Sequence, residues 1–147
     1  MMRILGIDYG TVRIGIAISD PLGIMAFGVA VLGKGESFDQ DIREIKKIIK
    51  KYDGVDQIVV GLPKTLAGEI GIAASAVLDF VEALKKEFKV AIDTWDERLT
   101  TADAEKMLIS AGLSREKRKK VIDQSAAANM LQGYLDRRSR GRASPPL

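Results

Sequence analysis

The sequence contains no cysteine and no histidine. The first absence rules out disulfides, thiolate zinc sites and cysteine nucleophiles. The second removes the commonest general base and the commonest nitrogen ligand for metals. Chemistry must then run on carboxylates, lysine, arginine, serine, threonine or tyrosine. The metals such a chain can hold are hard, oxygen-liking cations such as Mg²⁺ or Mn²⁺. No apolar run approaches the length of a membrane span, and the opening "MMRILG" lacks the separate charged and apolar regions of a signal peptide. The expectation is a cytoplasmic protein with no membrane partner.

What is present suits an ordinary globular protein: 147 residues, 46% hydrophobic and 29% charged, enough for one domain with a core of its own. A net charge of +3 and a pI near 9.2 allow a polyanionic partner without requiring one. "RILGID" and "RIGIAIS" are Ile-rich runs separated by the turn-prone "YGT" and read as a hairpin. "FGVAVL" reads as a third strand. "DQDIREIKKIIKKY" places Ile42, Ile45, Ile48, Ile49 and Tyr52 on one helical stripe. "DQIVVG" is a short buried strand, followed by a long helix expected to bury Ala73, Ala76, Val77, Phe80, Val81 and Leu84. "KVAIDTW" is a fifth strand. Thr100 and Asp103 suggest a capping box that opens a helix ended by Gly112, and a last helix runs from about Asp123 through Tyr134.

The order βββαβαβαα implies an α/β fold, a mixed sheet with helices on both faces and right-handed crossovers between its later strands. No internal repeat is present. Residues 1–136 are expected to form one domain, and 137–147, "RRSRGRASPPL", a basic disordered tail.

Ligands of open α/β sheets bind beyond the carboxyl ends of the parallel strands. Asp8 ends the first strand there. Gly61, Leu62 and Pro63 follow the fourth, and Asp96, Glu97 and Arg98 the fifth. Asp123 shares the apolar side of its helix with Ala126, Ala127, Met130, Leu131 and Tyr134, a costly place for a carboxylate unless it is paired or metal-bound. The small Ala126 and Ala127 would let this helix approach the sheet closely. Each acid taken alone has a plainer account: a turn residue for Asp8, a surface ion pair for Glu97 with Arg98, a dipole-favouring first-turn acid for Asp123. Together, three acids at one sheet edge in a histidine-free chain suit a pair of divalent ions and phosphoryl chemistry. Asp8, on the most central strand, is best placed to bridge the two, and Gly10 leaves room beside it.

"LGIDYGTVRIGIAISD", "IVVGLPKTLAGEIG", "DERLTTADAEKML" and "DQSAAANMLQGYL" resemble, in order, the four characteristic blocks of the YqgF-type family. These are bacterial RNase H-like nucleases, described variously as Holliday-junction resolvases and as pre-16S rRNA processing nucleases. The resemblance implies an RNase H-like fold of five strands in the order 3-2-1-4-5, strand 2 antiparallel. It implies catalytic, metal-holding acids at Asp8, Glu97 and Asp123, with Arg98 beside the second and Gly61, Leu62 and Pro63 in the loop after the fourth strand. The chain departs from the family where an Asn, and often an Asp, follows that proline: here stand Thr65, which can contact a phosphate, and Ala67, which cannot.

Substrate-contact candidates also include Gly10 and Arg13 in the first hairpin and the basic run Arg115, Lys117, Arg118, Lys119 and Lys120, which leads into Asp123. Basic runs are usually solvated faces, and both that reading and a phosphate track stand open. Trp95 and Tyr9 could stack on bases, although core packing is the commoner fate of Trp95. The expected function is a metal-dependent endonuclease, first in 5′-end processing of pre-16S rRNA and second as a resolvase of branched DNA. "DYGTVRIGIAI" also resembles the phosphate-binding hairpin of sugar kinases and actin-like ATPases, but those need two such domains around the nucleotide. A nuclease fold retained only for binding is a third reading, against which the three acids argue. The apolar stripes match what a two-faced sheet consumes, so a monomer or weak homodimer is expected.

Overall fold

A computed structural model of the chain describes residues 3–63, 71–96, 112 and 126–138. Strands β1 (Ile4–Tyr9) and β2 (Arg13–Ser19) form the expected hairpin, paired from Leu5 with Ile18 to Tyr9 with Ile14. Gly10 donates its N–H to the Arg13 carbonyl at 2.9 Å to close the turn. Strand β3 (Ala26–Gly33) pairs antiparallel with β2, with a register shift between Ile16 and Ala17. Helix α1 (Phe38–Lys51), strand β4 (Gln57–Leu62), helix α2 (Ile72–Glu87) and strand β5 (Ala91–Asp96) follow. Both β4 and β5 run parallel to β1, and the sheet order is β3-β2-β1-β4-β5. A further helix, α3, covers 126–138. The capping-box helix expected from Thr100 lies outside the described residues, although Gly112 has the positive φ of 77° that a helix-ending glycine adopts.

Side chains of a strand alternate between faces, and here each face has its own core. Leu5, Ile7 and Tyr9 point with Ile14, Ile16, Ile58 and Val60 to the side covered by α1 and α2. Ile4, Ala17 and Val59 point to the other side, where Ala127, Met130, Leu131 and Leu135 of α3 pack on them. Asp8 belongs by alternation to this second face. Glycines let α3 come close: a Cβ built on Gly6 would lie 2.9 Å from Leu131 Cβ, and one on Gly15 3.3 Å from Ala127 Cβ. Two polar clusters pin the helix further along. Gln132 accepts from Ala26 N–H and donates to the Ile24 carbonyl, both at 2.9 Å. Gln57 Nε2 donates to Asp93 at 2.8 Å and to the Tyr134 hydroxyl at 2.7 Å.

Several expectations are corrected. Helix α2 buries Ala74 with Val77, Phe80, Val81 and Leu84, and leaves Ala73 and Ala76 exposed. Its rotation is set by Phe80, whose ring stacks on Tyr9 at 4.0 Å. Tyr9 is thus core and not a base-stacking residue: it is 6% exposed, and its hydroxyl donates to buried Asp41 at 3.0 Å. Burial first, and then the Asp41 carboxylate, hold the Tyr9 phenol well above its ordinary pKa. Trp95, by contrast, packs with the α3 core as expected, edge-on to Tyr134. The basic tail does not begin at 137, because Arg137 and Arg138 continue α3 and Arg138 donates to Gln57 Oε1 at 3.4 Å. Finally, the apolar side chains are not all consumed by the two cores: Leu22, Ile24, Met25 and Phe27 are 68%, 60%, 54% and 49% exposed along the β3 edge.

Candidate active site

Asp8 is the penultimate residue of β1, and the pairing register carries a row of residues through it. Asp8 pairs with Gly15, and Gly15 with Val31. On the other side Gly61 follows Val60, the partner of Ile7, and so stands level with Asp8; it pairs in turn with Trp95. The carboxylate is therefore flanked by two positions without side chains. A cleft of about 460 Å³ opens there, lined by Asp8, Gly10, Arg13, Gly15, Val31 and Ala126 among others. Gly10 could carry no side chain, since a Cβ would come within 2.7 Å of the Arg13 carbonyl oxygen.

Asp8 is half-buried. Hydrogen bonds or ion pairs to its side chain are absent among the described residues, whereas carboxylates elsewhere in the fold, Asp20, Asp41 and Asp93, are all engaged. A carboxylate held at a strand end, beside glycines and facing a cleft, fits a hard cation in a chain that offers only oxygen ligands. The arrangement tests one ligand alone. Glu97 and Asp123 lie outside the described residues, as do Thr65, Arg98, Arg115, Lys117, Arg118, Lys119 and Lys120. No group of three acids suited to an ion occurs among the described residues. Gly61 and Leu62 end β4 level with this row, and Pro63 follows them directly. Arg13, which alternation places on the Asp8 face, is exposed, and its guanidinium has no partner among the described residues.

Sequence reasoning passed over Val31 and Val12, both on the rim of this cleft. Val31 reads as an ordinary strand residue, and only its pairing with Gly15 places it in the Asp8 row. The glycines themselves were the available signal: Gly6 and Gly15 inside buried strands mark the close approach of another backbone.

The RuvX family model, described as a Holliday junction resolvase, matches residues 2–137. The chain belongs to the RuvX family. It is thereby a nuclease, a hydrolase of nucleic acid. A relative from Clostridium acetobutylicum, provisionally named pre-16S rRNA nuclease, is 49% identical to this RuvX-family chain over 135 residues, 92% of the chain and 98% of the relative. Thermus thermophilus RuvC in complex with Holliday junction substrate superposes with a TM-score of 0.56 at 14% identity, over 95% of this chain and 96% of that one. A ROK hexokinase from the same organism gives a TM-score of 0.50 at 15% identity, over 71% of this chain and 37% of the enzyme. At such identities the likeness is one of fold, which is what the kinase-like first hairpin of the RuvX-family chain reflects. No described helix is long and apolar enough to cross a membrane.

Proposed function

We propose that this RuvX-family nuclease is a divalent-cation-dependent endonuclease that trims the 5′ end of pre-16S rRNA. The observation that carries the proposal is Asp8, half-buried between Gly15 and Gly61 in an open cleft with no partner among the described residues. Asp8, Glu97 and Asp123 are the residues that would hold Mg²⁺ or Mn²⁺. Bound there, two such ions would acidify the attacking water and stabilise the leaving oxygen, so that no histidine is needed. The chain's own part is placement. Ala127 seats α3 on Gly15 beside Asp8, and Asp123 precedes Ala127 by four residues in the sequence. Arg13 and Thr65, with Arg98 and the run from Arg115 to Lys120, are the candidates to bind the phosphates on either side. The pre-rRNA substrate is favoured by the name of a relative that is 49% identical over 98% of its length.

A second reading, resolution of four-way DNA junctions, is favoured by the family's description and by the exposed apolar stretch Leu22–Phe27. Paired nicks require a two-fold dimer, and that stretch is where a self-complementary surface is available. Cleavage of labelled pre-16S rRNA and four-way junctions, side by side with Mg²⁺ and Mn²⁺, separates the two. We expect discrete cuts in the RNA. Symmetric paired nicks in the junction, with the RNA left intact, would reverse the order.

A further inference from the structure

Beyond Asp8, Arg13 and the hydroxyl of Thr11, the cleft has an aliphatic rim with no place in the metal chemistry. Val12 is 69% exposed and Val31 47% exposed, and both line the cleft. Val31 stands in the same row as Asp8, two strands away across Gly15. Val12 sits at the tip of the β1–β2 hairpin, and its backbone is held on two sides. Gly10 N–H to the Arg13 carbonyl closes the turn, and Lys34 N–H donates to the Val12 carbonyl, each at 2.9 Å. The tip is therefore a fixed mount that presents an apolar side chain to solvent.

A phosphate gains nothing from two valines, whereas the face of a nucleobase gains from covering them. Between Asp20 and Lys34 the sequence carries no charge, so the β3 side of the cleft offers no phosphate track. The cation that lines the cleft among the described residues is Arg13, at the start of β2 and on the Asp8 face by alternation, whereas Lys34 turns its ammonium onto the Tyr9 ring at 4.3 Å. A base stacked in a duplex has no free face to offer. We infer that Val12 and Val31 form a subsite for one unpaired nucleobase next to the scissile phosphate, with Arg13 on the phosphate that joins them. This rests on the nuclease reading and deepens it, because it makes the substrate a strand with an unstacked nucleotide at the cut.

The test uses the full-length protein and an RNA whose cut site is mapped for the wild type. Each nucleotide flanking that site is replaced in turn by a base-less ribose. In the wild type, one flanking replacement should lower kcat/KM about fivefold to tenfold, the worth of covering two valine side chains. The Val12→Ser/Val31→Ser double variant, with Val12→Ser alone as the milder companion, should lose a similar factor on the intact RNA. The double variant should become insensitive to the missing base and the single variant partly so, and an unchanged melting temperature would show that the loss is one of contact. A wild type that cleaves yet shows no penalty at any flanking position, or variants that keep the full penalty, would overturn the subsite and leave the nuclease reading standing. A wild type that cleaves no nucleic acid would overturn both.

Discussion

Replacing Gly6 by alanine perturbs the candidate site without touching any residue in it. Gly6 lies in the middle of β1 beneath α3, where an added Cβ meets Leu131 Cβ at 2.9 Å and Leu131 Cδ2 at 3.3 Å. The first contact is with a Cβ, so no change of rotamer relieves it. Ordinary contact begins at 3.4 Å, so the helix and strand must separate locally by 0.5 Å, the difference of the two distances. Overpacking of this kind costs about 1–3 kcal/mol, and the loss of glycine's backbone freedom in the unfolded chain returns roughly 0.5–1 kcal/mol. The net loss of about 1–2 kcal/mol should lower Tm by roughly 3–8 °C for a chain of this size. Catalytic geometry tolerates about 0.5 Å of error. If α3 carries Asp123 to Asp8, kcat should therefore fall by about tenfold with KM little changed. The control is Gly33→Ala, where a Cβ meets nothing within 4 Å and both stability and activity should hold. Thermal melts and single-turnover cleavage decide the matter. Wild-type kcat in a Gly6→Ala protein whose Tm has dropped would show that the seating of α3 does not govern the chemistry. No change in either would show that α3 is not seated as described.

Three further outcomes are expected. Ca²⁺ should permit substrate binding with little cleavage, because its looser coordination positions water poorly; hydrolysis undiminished by excess chelator would contradict the metal-dependent mechanism. Replacing Lys117, Arg118, Lys119 and Lys120 by alanine should flatten the slope of log affinity against log salt, and an unchanged slope would move the phosphate track elsewhere. The raised Tyr9 pKa means that the unfolded chain loses its phenol proton first, so stability is fully present below the unfolded value of 10.0 and is lost as pH climbs from there toward the folded value. Tyr9→Phe should cost about 1 kcal/mol at neutral pH and should flatten that alkaline loss in denaturant titrations. A Phe variant as alkali-sensitive as the wild type would remove Tyr9 as its source.

The sheet was legible because its strands are short, Ile- and Val-rich and punctuated by turn residues, and because crossovers leave few topologies for three hairpin-linked strands followed by two βα units. Asp8 was legible for a related reason: a carboxylate between Ile7 and Tyr9 breaks the apolar run at a strand end. The face of α2 was not. Ala73, Ala74 and Ala76 are all small and apolar, so periodicity alone leaves the rotation undecided until Phe80 meets Tyr9 across the core. Tyr9 was ambiguous because its partner, Asp41, is a carboxylate 3% exposed on an otherwise amphipathic helix; nothing local marks it as buried. The surplus apolar side chains at Leu22, Ile24, Met25 and Phe27 escaped notice because three of them stand in the turn before β3, where no periodicity separates buried from exposed positions. Val12 and Val31 escaped because only the register joins them to Asp8.

The central claim is that Asp8 is a metal ligand at the heart of a nuclease, and the most direct measurement compares wild type with Asp8→Asn on labelled pre-16S rRNA in Mg²⁺ or Mn²⁺, alongside thermal melts without metal. An amide is a poor ligand for a hard cation, and if Glu97 and Asp123 gather at Asp8 as proposed, the substitution also removes a repulsive negative charge that costs stability when no metal is present. The account predicts no detectable cleavage by Asp8→Asn together with a Tm equal to or above that of the wild type. Full activity in a folded Asp8→Asn protein would contradict it.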